Sequence, residues 1–184
     1  MSLRERWISV LHRAATGTRR TRNLLTPVGL AVFAAFVAAF VVAALVVDRV
    51  LGLPGLLPEG ARLPVSIPVL VLGAALTIWS AAHFLAARGT PVPFNPPPTV
   101  VSTGPYGHVR NPMLTGVFVL LLGLGLLFGS PSLVVVFLPL FIALNVWELK
   151  HIEEPELVQR LGDAYVTYRR RTPMFLPRLG RRLD

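Results

Sequence analysis

The sequence predicts an all-α integral membrane bundle of about four transmembrane helices, with an N-terminal interfacial helix and a C-terminal amphipathic helix. Three observations carry that prediction. The 184 residues are 53% hydrophobic and only 15% charged, with a mean hydropathy of +0.63, whereas soluble domains carry roughly a quarter charged residues. Four apolar runs are free of charge. The arginines collect between and outside those runs, unevenly.

Val28 to Val47 is an uncharged stretch of about 30 Å as helix, the thickness of a bilayer core. Pro64 to Ala87 is a second, with its prolines near the start. Met113 to Gly129 is a third, and Ser132 to Trp147, extending toward Leu149, is a fourth. The last two are short, roughly 25 Å each, and Gly129-Ser130-Pro131 between them reads as the turn of a helical hairpin. Gly125 and Gly129 form a small-xxx-small pair, with Gly116 and Gly123 nearby, which points to close helix packing.

Arginine and lysine number six before the first span, two in each of the next two loops, none at the 130 turn and eight from Glu148 onward. The positive-inside rule then places both termini and the 88–112 loop in the cytoplasm of a multi-pass cell-membrane protein. The same asymmetry accounts for the formal charge of +9, so no nucleic-acid partner is expected. The first apolar run is too long and starts too late for a cleaved signal peptide. Trp7, Ile8 and Leu11 among arginines suit an interfacial helix or a basic tail that fixes topology. The chain divides into a basic segment 1–26, two spans over 27–87, a Pro-rich cytosolic loop 88–112, a hairpin over 113–149 and a cytosolic helix and tail 150–184, in one domain.

Without cysteine, disulfide frameworks, thiolate nucleophiles and cysteine-held metals are excluded. Glu148-x-x-His151 has di-iron spacing but occurs once, where such sites need two copies; no metal is expected. His83 lies in an apolar span about 6 Å from its end and reads as an interfacial histidine.

The informative residues follow position 88. Seven prolines stiffen the 88–112 loop, and Arg110-Asn111-Pro112 stands at the start of the third span. A helix N-terminus with Arg110 beside it can receive an anion, or Arg110 can simply anchor the span. At the end of the fourth span, Glu153-Glu154-Pro155 places adjacent carboxylates at the membrane exit. They need water, a cationic ligand or a partner such as Arg110, or they form an ordinary solvated first turn. Beyond them Leu157, Leu161, Tyr165 and Tyr168 share a helical stripe, with Glu156, Arg160, Asp163, Thr167 and Arg171 on the opposite face.

Taken together, Gly104-Pro-Tyr106-x-x-x-Arg110-Asn111-Pro112, one hairpin, and Glu153-Glu154-x-x-Leu157-x-x-x-Leu161-Gly162-x-x-Tyr165-x-x-Tyr168 with Pro173 and Pro177 resemble the isoprenylcysteine carboxyl methyltransferases. The pattern is similar also to their relatives, the phospholipid N-methyltransferases. The resemblance spans residues 104–179. It implies an integral membrane enzyme that binds S-adenosylmethionine at the cytosolic ends of its last helices and releases S-adenosylhomocysteine. No Gly-x-Gly-x-x-Gly nucleotide fingerprint is present. The resemblance further implies that Tyr106, His108, Val109, Arg110, Asn111, Pro112 and Met113 form one wall of the cofactor site, and Glu153, Glu154 and Leu157 the other. Arg110 and Glu153 would be the catalytic pair. Departures from the pattern are Tyr106-Gly107-His108 for Tyr-Arg-Tyr, Asn111 for His, and Leu114 for Tyr; they bear on the acceptor more than on the cofactor.

The expected partners are membrane lipids and a lipophilic small-molecule or lipid acceptor, with Phe94 and Trp147 as apolar contacts. A carboxylate acceptor needs no general base; an amine or thiol does, with His108 or Glu153 in position. The alternatives are a phospholipid or small-molecule N- or S-methyltransferase, and a membrane scaffold that keeps the hairpin for structure alone.

Overall fold

The computed structural model describes residues 18–90 and 95–177, together with Glu5, Arg6, Ser9 and Arg13. The interfacial helix expected within 1–26 lies largely outside the described residues, as does Phe94. Every regular element described is helical. In chain order they are α1 (Arg19–Leu51), α2 (Glu59–Ala86), a 3-10 turn (Gly104–Gly107), α3 (Pro112–Phe128), α4 (Leu133–Leu161) and α5 (Asp163–Arg171).

By length and composition three helices can cross a membrane: Leu24–Leu51 within α1, Glu59–Ala86 and Leu133–Leu161. The expectation of about four spans therefore meets three long helices and one shorter one. That one, α3, is 17 residues long, equally apolar, and packs along α2.

The contact between α2 and α3 is made by small residues. Ser66, Gly73 and Ser80, spaced by sevens, are the buried residues of α2. A Cβ on Gly73 would lie 2.9 Å from the Gly116 carbonyl and 2.8 Å from the Leu120 nitrogen. The two backbones thus meet with no side chain between them, the arrangement that favours helix association where no hydrophobic drive exists. Gly123 similarly abuts Leu70. Of the Gly125–Gly129 pair, Gly125 is buried and packs closely against the Val134 side chain of α4, whereas Gly129 has φ 64° and ends α3 in the left-handed cap conformation.

On the other side, Phe141 of α4 is fully buried and touches Phe33, Phe36 and Phe40 of α1 and Phe118 of α3. The turn between α3 and α4 is held by α1. The Asp48 carboxylate accepts hydrogen bonds from the Ser130 hydroxyl and, at 3.0 Å, from the Ser132 amide. Ser130 Oγ in turn accepts the Leu133 amide at 3.1 Å.

Helix α4 runs on far past Leu149 because its prolines are absorbed rather than obeyed. π turns at Leu133–Phe137 and Leu149–Glu153 each end two residues before a proline, Pro139 and Pro155. Proline lacks the N–H for the i−4 carbonyl and its ring collides with that carbonyl. A locally wider turn, closed by Leu138 N to Leu133 O and Glu154 N to Leu149 O, moves the carbonyl away. Pro155 therefore neither starts a separate helix nor breaks the span.

The amphipathic C-terminal helix is also cut differently from expectation. Gly162 (φ 60°, ψ −140°) separates α4 from α5. Glu156, expected on an outer polar face with Arg160, is buried, and Arg160 turns inward with it.

Candidate active site

The site is assembled where the C-terminal end of α2, the 3-10 turn, the start of α3, the end of α4, and α5 converge. The turn depends on Gly104 at φ 57°, since a side chain there would strike the His83 ring. His83 itself donates from Nδ1 to the Trp79 carbonyl at 2.9 Å. It is the wall against which the turn closes.

The turn buries Tyr106, which is 4% exposed and meets the Phe84 ring edge-on at 4.9 Å. Tyr168 of α5 donates its hydroxyl hydrogen bond to the Tyr106 carbonyl at 2.7 Å, pinning α5 over the turn. Burial pushes the Tyr106 phenol well above its ordinary range, helped by Tyr168 and the Glu153 carboxylate. Tyr106 is consequently a neutral hydrogen-bonding group at any physiological pH.

Arg110 is the hub. Its Nη2 meets Glu154 Oε1 at 2.6 Å, and its Nη1 donates to the Thr172 carbonyl at 2.6 Å and the Arg169 carbonyl at 3.1 Å. The Arg110 and Asn111 amides donate to the Pro173 and Met174 carbonyls at 2.8 and 3.1 Å. The segment after α5 is thereby strapped across the start of α3, and Phe175 packs on Phe118 at 5.3 Å. Arg169 reaches the other Glu154 oxygen at 3.5 Å from a more exposed position.

A second ion pair closes the proline-rich loop onto α4. Arg160 Nε lies 2.9 Å from Glu156 Oε1, and its Nη1 donates to the Pro97 carbonyl at 2.9 Å. Glu153 lies within electrostatic reach of Glu148, Glu154, Glu156 and Arg160. Among the described residues, the buried side-chain polar atoms left without a partner are Tyr106 Oη and Arg110 Nε.

The residues expected to line the site are dispersed in depth. Tyr106, Val109, Pro112 and Glu154 are buried; Arg110, Asn111, Met113, Glu153 and Leu157 are partly so; His108 is exposed. Trp147 is 56% exposed and stacks on His151 at 5.3 Å. Among the described residues no three His, Asp or Glu side chains form a group suited to a metal ion. Sequence reasoning missed the Glu156–Arg160 clamp, although the spacing of the two residues, one helical turn apart, was a visible signal. The strap at Thr172–Phe175 falls at Pro173 of the 104–179 pattern, whose resemblance implies a tail folded over the cofactor; its contacts with Arg110 and Asn111 had no signal in the sequence.

A family model described as phospholipid methyltransferase matches residues 62–164, more than half of the chain. The chain belongs to that family. The phospholipid methyltransferase match begins in α2 and ends in the first turn of α5, so it takes in Arg110, Glu148 and the Glu153–Glu156 cluster. The strap lies beyond it. No curated protein and no solved structure matches the chain. With helices long and apolar enough to span a bilayer, this is a membrane protein of a methyltransferase family.

A cofactor carrying an ammonium, a carboxylate and a sulfonium suits the donor set around Arg110. Glu154 supplies a carboxylate and Arg110 a guanidinium with one N–H unspent. Tyr106 supplies a buried hydroxyl without a partner.

Proposed function

We propose that the protein transfers a methyl group from S-adenosylmethionine to a lipophilic acceptor drawn from the bilayer, with S-adenosylhomocysteine as product, in the manner of the isoprenylcysteine carboxyl methyltransferases. The observation that supports this reading most is the Arg110–Glu154 pair, closed over by the 172–175 strap. Methyl transfer from a sulfonium is an in-line displacement. The protein has to align donor with acceptor and keep water out, and a largely buried ion pair covered by a strap supports a site of that kind.

In this reading Glu154 and Glu153 hold the cofactor's ammonium or ribose, and Arg110 its carboxylate by charge-assisted hydrogen bonds. Tyr106, His108, Val109, Asn111, Pro112, Met113 and Leu157 line the donor. Arg110 and Glu153 act closest to the transferred group. Phe94 and Trp147 contact the apolar tail of the acceptor. The arginine distribution supports a site on the cytoplasmic face of a multi-pass cell-membrane protein.

The test is titration calorimetry of the detergent-purified protein with S-adenosylhomocysteine, alongside Arg110→Ala, Glu154→Ala and the better-packed Glu154→Gln. Micromolar binding by the wild type, lost in all three folded variants, is the expected result. Absence of binding by the folded wild type would sink the methyltransferase reading in favour of a scaffold.

A further inference from the structure

The last turn of α5 carries three consecutive arginines, Arg169, Arg170 and Arg171, and all three are exposed. Arg169 is partly spent, since it reaches Glu154 Oε2 at 3.5 Å. Among the described residues, Arg170 and Arg171 form no ion pair. Directly after them the chain enters the strap. Arg110 Nη1 donates to the carbonyls of both Arg169 and Thr172, so the arginine turn and the strap are anchored at one point, the start of α3.

The α2–α3 register fixes the depth of that point. The two helices run antiparallel: Gly123 abuts Leu70, while a Cβ on Gly116 would lie 2.8 Å from the Thr77 nitrogen. One turn further along the pair, Trp79 stands close to the level of Pro112. Trp79 is half exposed, and indoles so placed mark the head-group level of a bilayer. Arg110 and Asn111 therefore lie at that level, together with the strap they hold. From there the strap dips inward, because Phe175 packs on Phe118, which lies about 9 Å along α3 from Pro112. Leu176, next in the chain, is 79% exposed. Unpaired arginines and an exposed leucine thus flank one short segment at the boundary between head groups and acyl chains.

We propose that Arg170 and Arg171 bind the head groups of anionic lipids in the adjoining leaflet, and that this contact holds the 172–175 strap closed on Arg110. Guanidinium groups have the charge and the donor geometry that a lipid phosphate accepts. A cation in the last turn also suits the helix dipole, but that gives no reason for an exposed leucine beside it. Leu176 offers apolar surface that an acyl chain covers and a free anion does not, and this favours a lipid as the occupant. The contact does not depend on the methyl-transfer reading; it concerns the segment that covers the Arg110–Glu154 pair, whatever that pair binds.

The chain has no cysteine, so Leu176→Cys provides a single site for a nitroxide label on the full chain. The labelled protein is placed in nanodiscs of phosphatidylcholine, with or without phosphatidylglycerol, in three backgrounds: otherwise native, Arg170→Gln/Arg171→Gln, and Arg170→Lys/Arg171→Lys. One readout is label mobility by electron spin resonance. The other, on unlabelled protein, is the enrichment of phosphatidylglycerol among retained lipids by native mass spectrometry. Phosphatidylglycerol should immobilise the label in the native background and leave it mobile in the glutamine variant. Enrichment should fall by about fivefold for each arginine removed. The lysine variant should restore most of both effects, and added salt should weaken them. Equal enrichment in the native and glutamine proteins overturns the lipid contact. A label equally mobile with and without phosphatidylglycerol overturns its hold on the strap. Immobilisation by inorganic phosphate in pure phosphatidylcholine discs identifies a free-anion site and overturns the lipid assignment.

Discussion

Arg110 and Glu154 are 44 residues apart in the chain and 2.6 Å apart in space, with side chains 12% and 9% exposed. Between them lie α3, the turn and most of α4. Their pairing therefore registers the start of α3 against the end of α4, and Arg110 Nη1 carries the 172–175 strap onto the same point.

Removing either partner strands a largely buried charge, and about 3–5 kcal/mol of stability should be lost in Arg110→Met or in Glu154→Leu. The double variant should lose clearly less than the sum, because no charge is then left alone. Unfolding in detergent of the four proteins of this cycle measures it; simple additivity would show that the two side chains do not depend on each other.

At the opposite end of the bundle, Asp48 ties α1 to the α3–α4 turn through Ser130 and Ser132. Asp48→Ala should cost about 1–2 kcal/mol, the usual range for a lost helix cap. Ligand binding at the Arg110 site should not change. A drop in S-adenosylhomocysteine affinity would contradict the separation of the two ends.

Glycine substitutions should rank by what the new Cβ meets. At Gly116 it meets the Thr77 hydroxyl and also backbone, with the Thr77 nitrogen at 2.8 Å and the Gly73 carbonyl at 2.9 Å; at Gly125 it meets a Val134 methyl. Gly116→Ala is expected to destabilise by about 1–3 kcal/mol, and Gly125→Ala by less. Equal effects in parallel thermal melts would argue against the α2–α3 backbone contact.

The three tyrosines of the chain give a pH signature. All are pushed up by burial first; Glu154 and Glu153 add to it at Tyr165. A raised folded value means that the folded protein holds phenolic protons that the unfolded chain releases at about pH 10. Stability should accordingly be flat in this respect below about pH 10 and fall above it. Ultraviolet titration should detect phenolate only as the protein unfolds, and phenolate appearing in the folded protein near the ordinary value would refute the burial of these rings.

Much of the architecture is local information. Uncharged runs, arginine placement and the 3.6-residue period act within one helix at a time, so the positions of the apolar helices and both motif segments at 104–113 and 153–168 were legible in the residues alone. The 129–130 turn was legible as well, because its glycine is required by backbone sterics. What the tertiary structure decided involves partners distant in sequence. Gly116 rather than Gly129 became the packing glycine because Gly73 lay opposite it. Glu156 and Arg160 turned inward because the Pro97 carbonyl was there to receive the guanidinium, a contact no periodicity announces. Pro155 reads from sequence as a kink or a start; with the rest of α4 already committed to the bundle, a π turn accommodates it within a single helix. Local sequence specifies which segments are helical and apolar; which faces meet depends on packing and charge neutralisation across the whole bundle.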